Sequence, residues 1–147
     1  MRGHNYVERM DDDLKISTKG RYALRLMIDI AEYSDCDNES VSIKDISERQ
    51  GVSTKYLEQI VPNLTRAGLL RSSRGSNGGY SLTKKPKEYT AGEILRAIEG
   101  KLAPVACLEY DINVCERKEL CKTLDFWEGL YKVIGDYVDS VTLQSFL

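Results

Sequence analysis

Residues 42–83 read SIKDISERQGVSTKYLEQIVPNLTRAGLLRSSRGSNGGYSLT, and this stretch decides the fold. Ser42 and Asp45 form a capping pattern at the start of a short helix, which is expected to end at Gly51. Ser53 opens a second helix, whose apolar residues recur at helical spacing. Two short helices joined by so tight a turn predict a helix-turn-helix.

The residues that follow predict a β-hairpin. Residues 69–73 and 80–83 have strand character and flank a glycine-rich turn at 74–79. A glycine-rich loop is also found in phosphate-binding P-loops, but here the Lys-Ser/Thr ending is missing and no helix pattern opens behind it. The hairpin is therefore interpreted as a wing. The predicted fold class is mainly α, a winged helix-turn-helix domain with a small β-hairpin wing and a long C-terminal dimerisation helix.

Helical patterns lie on both sides of this segment. Apolar residues at helical spacing predict a first helix over 18–33, and Thr90 with Glu93 is a capping box that opens a helix ending at Gly100. A long amphipathic helix is predicted from 122 to about 141. Its apolar stripe must be covered by the protein's own core or by a second subunit, and we expect a homodimer. The stripe consists of Leu124, Trp127, Leu130, Tyr131, Ile134 and Val138.

These patterns divide the chain into four segments. We expect a disordered N-terminal extension, a winged helix-turn-helix DNA-binding domain, a cysteine-containing loop, and a dimerisation helix with a C-terminal tail. They cover residues 1–13, 14–100, 101–121 and 122–147, respectively. The N-terminus has no apolar signal sequence and no apolar run is long enough to span a bilayer, so a cytoplasmic protein is expected.

The charge is unevenly distributed along the chain. The net charge is −2, but residues 14–87 hold 13 Lys/Arg against 8 Asp/Glu, whereas residues 88–147 hold 6 against 11. A basic half beside an acidic half is typical of a polyanion-binding surface joined to a different module. Catalysis is disfavoured, because the only histidine is His4 in the N-terminal extension and no nucleophile–base pair is evident.

The second helix of the pair is the element that can enter the major groove of double-stranded DNA. Its exposed side chains can pair with base edges, and an arginine beside a glycine at the wing tip suits the narrow minor groove. The predicted DNA-contacting residues are Ser53, Thr54, Lys55, Tyr56, Glu58, Gln59, Arg74, Gly75 and Ser76. Affinity for phosphates is expected from Lys55, Arg66, Arg71, Lys84 and Lys85.

Three cysteines lie close together in the sequence before the long helix. Cys107, Cys115 and Cys121 have the spacing C-x7-C-x5-C. Thiolates are soft ligands that suit an iron–sulfur cluster or zinc, although unliganded buried thiols are also common. The residues alone leave these possibilities open.

The chain resembles the Rrf-type family of bacterial winged helix-turn-helix transcriptional regulators. The resemblance covers almost everything after residue 13 and rests on LKISTKGRYALR (14–25), ISERQGVS (46–53), YLEQI (56–60), AGLL (67–70), RGSNGGY (74–80), AGEILRAIEG (91–100) and DSVTL (139–143). It implies a dimeric repressor or activator that binds a promoter operator. It also implies long C-terminal helices that cross the dimer, and DNA contacts from Lys55, Glu58, Gln59 and Arg74.

The resemblance also bears on the cysteines. The family's iron–sulfur cluster assembly regulator and its nitric-oxide-sensing repressor carry three cysteines here and bind a [2Fe–2S] or [4Fe–4S] cluster. We therefore expect Cys107, Cys115 and Cys121 to hold a cluster that tunes DNA affinity in response to iron–sulfur, redox or nitric oxide status. The alternative is a regulator of cysteine or sulfur metabolism with the same fold, whose thiols bind zinc or are redox-active without a cluster.

Two departures from the family pattern concern the cluster. The first spacing is longer than the usual x5, and the usual fourth ligand is missing. Leu124 stands where the cluster assembly regulator has a histidine, and Arg21 where the nitric oxide sensor has an aspartate. The remaining candidates for a fourth ligand are Asp125, Glu116, Glu109, Cys36 and His4.

Overall fold

A computed structural model describes residues 16–34 and 39–147. The predicted N-terminal extension, with His4, and the loop cysteine Cys36 lie outside the described residues. The helices are α1 (Thr18–Tyr33), α2 (Ile43–Gln50), α3 (Thr54–Arg66), α4 (Ala91–Glu99) and α5 (Leu124–Ser140). Two strands, β1 (Leu70–Ser73) and β2 (Gly79–Leu82), and four short 3-10 turns complete the described structure.

The helix starts predicted from the sequence are present and have a local cause. The side chains of Ser42, Ser53 and Thr90 each accept a hydrogen bond from the backbone N–H three residues later, which satisfies an otherwise unpaired donor. The Thr90–Glu93 capping box is also formed. Gly51 ends α2 at φ 64°, in the left-handed region that glycine adopts without strain.

The wing is an antiparallel pair in which Leu70 lies opposite Leu82 and Ser73 opposite Gly79. An isolated bridge between Val41 and Tyr80 attaches the wing to the segment before α2. At its base the fully buried Tyr89 uses its hydroxyl to accept from the Thr83 N–H at 2.7 Å and to donate to the Leu69 carbonyl at 3.0 Å. The base of the wing is therefore anchored to the core.

One hydrophobic core connects α1, α3, α4 and the wing. Its members are apolar side chains with almost no exposed surface: Ala23, Leu26, Met27, Ile30, Ile46, Leu57, Ile60, Leu64, Leu70, Leu82, Tyr89, Ile94 and Leu143. Leu143 comes from the C-terminal tail, which the sequence analysis grouped with the dimerisation helix. Its N–H donates to the Tyr89 carbonyl at 3.0 Å, so the chain returns to the first domain after α5.

An ion pair between a partly exposed arginine and a buried carboxylate joins α1 to α2. Asp29 is 1% exposed, and it accepts from the guanidinium of Arg49 at 2.6 Å and from the side-chain amide of Gln50 at 2.9 Å. The Arg49 guanidinium also lies over the Tyr33 ring, 4.0 Å from its centroid. A charge so deeply buried is tolerated when it is paired and hydrogen-bonded, so this contact sets how α1 packs on the helix-turn-helix.

Candidate nucleic-acid interface and cysteine loop

The N-terminal half of α3 presents a polar edge to solvent. Leu57, Ile60, Val61 and Leu64 point into the core, and this orientation leaves the other side of the helix outside. Four of the predicted DNA-contacting side chains are exposed on that side: Thr54, Lys55, Glu58 and Gln59. They offer donors and acceptors of the types that pair with base edges in the major groove.

Two predicted contact residues have other roles in this structure. The ring of Tyr56 is half-buried and packs edge-to-face against Tyr22 of α1, with 5.6 Å between the ring centroids. The Ser53 hydroxyl accepts from the Tyr56 N–H and so caps α3. Both residues position the helix. The cap by Ser53 follows from the sequence, whereas the contact between Tyr56 and Tyr22 depends on how α1 packs on α3.

The wing tip is exposed throughout. All side chains from Arg71 to Asn77 are open to solvent, including the predicted contacts Arg74 and Ser76. Gly75 has φ 107°, a conformation that strains other residues, and its carbonyl accepts from the Gly78 N–H at 3.0 Å. The tight turn therefore needs Gly75 for its backbone conformation.

Lys84, one of the residues predicted to contact phosphates, forms an ion pair within the chain. The Lys84 ammonium pairs with Glu93 at 2.8 Å and lies 4.8 Å from the centroid of the Tyr89 ring. Burial alone would raise the pKa of Glu93, but hydrogen bonds from Lys84 and the Thr90 N–H outweigh it and hold the pKa below its ordinary value. Lys84 is half-buried and its charge is paired in the single chain, whereas the other members of the set are exposed: Lys55, Arg66, Arg71 and Lys85.

The cysteine loop is irregular. Cys107 lies in the 3-10 turn Ala106–Leu108 and is half-buried, as is Cys115, whereas Cys121 is exposed just before α5. The Cys115 N–H donates to the Asn113 side-chain oxygen at 2.9 Å. Hydrogen bonding by the Thr123 hydroxyl and backbone lowers the pKa of the Cys121 thiol below its ordinary value. Cys121 therefore carries more thiolate than an ordinary surface cysteine.

The three thiols are not gathered into one site. Across residues 16–34 and 39–147, no three His, Cys, Asp or Glu side chains lie close enough together to hold a metal ion. The assignment of Cys107, Cys115 and Cys121 as cluster ligands therefore stays a prediction. One polar group in the loop is unsatisfied: the side-chain nitrogen of Asn113 is buried and has no hydrogen-bond partner among the described residues. A bound group with an acceptor atom could pair with this donor.

The long helix has two apolar stripes, and the sequence analysis identified only one. Leu124, Trp127, Tyr131, Ile134 and Val138 are half-buried on the side that meets α4. There Arg96 forms a bidentate pair with Asp139 at 2.6 and 3.0 Å, and Gly92 lies against Val138 and Asp139. None of the 17 residues of α5 is fully buried.

The second stripe faces solvent. Phe126, Val133 and Tyr137 are 63%, 63% and 69% exposed, and Leu130 lies between them on the same face. At 3.6 residues per turn this stripe is rotated by about 110° from the first. Its spacing of 4, 3 and 4 residues was the signal that could have revealed it in the sequence. Leu130, which the sequence analysis placed in the first stripe, sits at the border between the two.

The sequence and the fold are both similar to those of known proteins. A family model named Rrf2, described as an iron-dependent transcriptional regulator, matches residues 16–147. The chain belongs to the Rrf2 family. It is 36% identical over 134 residues to the protein Rrf2 of Nitratidesulfovibrio vulgaris, covering 91% of this chain and 88% of that protein. The winged-helix fold, the family and the regulator role predicted from the sequence are thereby confirmed.

Two solved structures of Rrf2 regulators are also similar. CymR (YrzC), the global cysteine regulator of B. subtilis, matches with a TM-score of 0.74 and 39% identity, covering 90% of this chain and 95% of that one. T. potens IscR matches with a TM-score of 0.69 and 38% identity, covering 90% and 85%.

The protein is therefore a transcriptional regulator of the Rrf2 family rather than an enzyme, and regulators of this family bind DNA. Among the described residues, none of the helices has the length and apolar character that a membrane crossing requires.

Proposed function

We propose that this Rrf2 regulator binds operator DNA as a homodimer, with α3 in the major groove and the wing tip in the adjacent minor groove. The observation that carries the proposal is the row of exposed polar side chains at the N-terminal end of α3. Thr54, Lys55, Glu58 and Gln59 have no role in the core, whereas the apolar side of the same helix is buried. Base edges are read from this part of a recognition helix.

The proposed contacts divide into two kinds. Lys55, Glu58 and Gln59 read bases, while Arg74, with Gly75 and Ser76, reaches the minor groove from the wing. Arg71 and Lys85 contribute charge toward phosphates, which gives binding without sequence preference. Ser53 and Tyr56 support the site from within, since their side chains are engaged with α3 and α1.

Fluorescence anisotropy with an operator obtained by in vitro selection tests this assignment. Gln59→Ala should weaken operator binding by about 1–3 kcal/mol and relax preference at one base position. Gln144→Ala is the matched control, because Gln144 is an exposed glutamine near the C-terminus. If both variants bind the operator as tightly as the wild type, α3 is not the reading element.

The homodimer is proposed from the solvent-facing stripe of α5. A helix with an uncovered apolar face is stable when that face packs on another helix. A second copy of α5 supplies the same stripe, so a twofold arrangement buries Phe126, Leu130, Val133 and Tyr137 of both subunits. The proposal places the solvent-facing stripe of α5 at the dimer interface and the DNA-reading domain in residues 14–100, on which the tail after α5 packs through Leu143.

We further propose that the loop over residues 101–121 is the sensory part. Cys107, Cys115 and Cys121 would hold an iron–sulfur cluster, whose bound form supplies redox- and iron-responsive chemistry. Three thiols in one irregular loop and the unpaired Asn113 amide fit a sulfur-rich group, since the amide could donate to sulfur. The name IscR among the similar structures supports the same assignment. Because the thiols are apart in this structure, binding requires the loop to rearrange.

The chain offers a route from the loop to the reading domain. Glu99, which lies at the end of α4 just before the loop, accepts hydrogen bonds from the backbone N–H and hydroxyl of Ser17 at the start of α1. At its other end the loop leads into α5. A change in the shape of the loop would therefore act on α1 and on the dimer helix together.

A specific observation favours a second candidate. The thiols are ungrouped, Cys121 is exposed with a lowered pKa, and the chain is 39% identical to CymR, a cysteine regulator. This supports a regulator of sulfur metabolism with redox-active or zinc-bound thiols and no cluster.

Anaerobic purification with absorption spectroscopy and iron, sulfide and zinc analysis separates the two candidates. A cluster predicts a coloured protein that loses its visible absorption in Cys107→Ala, Cys115→Ala and Cys121→Ala. In the same assay, Cys36→Ala tests whether the fourth cysteine, a candidate ligand, takes part. A colourless protein, with or without stoichiometric zinc, would leave the thiol regulator as the function.

A further inference from the structure

A pair of arginines on α1 lies beside the first turn of the recognition helix. Arg21 and Arg25 are one helical turn apart on the exposed side of α1, and together with Tyr22 they line a surface pocket of about 180 Å³. The sequence predicts no DNA contact for either arginine, and Arg21 stands where the family's nitric oxide sensor has an aspartate. Their partners and position indicate what this pocket can bind.

Arg25 is held in place by neutral groups. Its guanidinium donates to the side-chain oxygen of Gln50 at 3.0 Å and to the Gln50 carbonyl at 2.9 Å, and it stacks 4.8 Å from the centroid of the Tyr22 ring. A guanidinium has five N–H donors, so this arrangement leaves others for a further acceptor. The nearby carboxylate of Asp29 is buried and paired with Arg49. The charge of Arg25 is therefore oriented but not neutralised by these contacts.

Arg21 adds a second guanidinium to the same pocket. It is exposed, and its terminal nitrogen donates to the hydroxyl of Thr18 at 3.3 Å, again a neutral partner. Two positive charges that share one concave surface favour an anion between them. Arginine is suited to phosphate because its planar fork matches the geometry of phosphate oxygens.

The pocket is tied to the reading helix by direct contacts. Tyr22 packs edge-to-face on Tyr56, which lies in the first turn of α3, and Gln50 directly precedes the turn into α3. The major groove is about 12 Å wide, so a helix lying in it has a sugar–phosphate strand close on either side. Side chains that flank the N-terminal end of α3 are placed to meet one of these strands.

From this juxtaposition we propose that Arg21 and Arg25 form a phosphate clamp that grips the DNA backbone beside the recognition helix. The inference rests on the proposed function, since it requires α3 to lie in the major groove. The clamp touches no base, so it contributes affinity and register without sequence preference.

The test measures DNA affinity as a function of salt for the full-length protein. Anisotropy titrations use the selected operator and a random-sequence duplex of roughly 30 base pairs, about three helical turns. Arg21→Gln and Arg25→Gln should weaken binding to both duplexes by the same factor. Each should also make the slope of log K against log salt shallower by about 0.9 for every phosphate that the variant no longer neutralises.

Two variants control for fold and for net charge. Arg25→Lys keeps the charge and should keep the wild-type slope, while Lys132→Gln removes one charge from the exposed face of α5 and should change neither affinity nor slope. If Arg25→Gln is less helical by circular dichroism, Arg21→Gln decides alone, because Arg21 is exposed and its hydrogen bond is to a neighbouring hydroxyl.

The outcomes distinguish this inference from the proposed function. A wild-type slope for Arg21→Gln, or a loss of affinity confined to the operator, overturns the clamp while DNA binding by α3 stands. If the wild-type protein itself binds neither duplex with a steep salt dependence, the proposed function fails and the clamp fails with it.

Discussion

The exposed stripe of α5 allows a quantitative prediction about assembly. Val133 lies near the middle of the stripe and is 63% exposed in the single chain. Full burial of a valine side chain is worth roughly 1.5–3 kcal/mol, so covering the exposed part contributes about 1–2 kcal/mol per subunit. A twofold interface contains the residue twice, which gives about 2–4 kcal/mol per dimer.

Val133→Asp removes this contribution and places two carboxylates in an apolar interface, which adds a desolvation cost. We therefore expect the dimer to be weakened by at least about 3 kcal/mol, which is roughly a hundredfold in Kd. Sedimentation equilibrium over a range of protein concentrations measures this directly. The winged domain should stay folded, because Val133 is not part of its core.

Lys132→Asp is the matched control, since it introduces the same side chain one position away on the polar face of α5. It should leave the dimer almost as tight as in the wild type. A Val133→Asp variant with an unchanged Kd, or a wild-type protein that stays monomeric at every concentration, would show that a second α5 does not cover this stripe.

Three further predictions concern contacts that hold the fold together. Asp29→Ala removes the buried partner of Arg49 and should lower the free energy of unfolding by about 1.5–3 kcal/mol in urea denaturation; Asp29→Asn keeps the shape of the side chain but not its charge, so a wild-type unfolding midpoint for Asp29→Asn would contradict the role of the charge. Tyr89→Phe leaves two backbone N–H groups at the base of the wing without their acceptor, and it should lower the free energy of unfolding by about 1–3 kcal/mol in the same assay. A wild-type unfolding midpoint would refute this. The hydrogen bond from Arg96 lowers the pKa of Asp139 in the folded state. The pair therefore stabilises the protein above the ordinary aspartate pKa of about 3.9, and the contribution is lost as the pH falls through the lower folded-state pKa. The stability advantage over Asp139→Asn should shrink only in that acid range, and a difference that is constant from neutral to acid pH would exclude the ionised pair as its source.

Local patterns explain why much of the fold was accessible from the sequence. Ser42, Ser53 and Thr90 cap helices through contacts only three residues away, and Gly51 ends α2 through its own backbone freedom. The exposed row on α3 followed from the same periodicity that defined its buried side. Such interactions depend on neighbours along the chain, so the residue order contains them.

The internal contacts that the sequence did not predict join residues that are not neighbours along the chain. Lys84 was expected at the DNA but pairs with Glu93, and Tyr56 packs on Tyr22, a residue far away in the sequence. The sequence did not predict the phosphate clamp either, because Arg25 comes near α3 only when α1 packs against Gln50 in the folded chain.

The sequence by itself therefore determined the helix-turn-helix, the wing, the family and the segment that holds the cysteines. Tertiary structure decided which charges remain available for DNA, which face of α5 is left uncovered, and that the three thiols stand apart. The physical reason is that capping and periodicity act within one or two helical turns. Burial, ion pairing and the convergence of ligands depend instead on where separate segments meet, and the docking of Leu143 into the core from the far end of the chain shows how distant those segments can be.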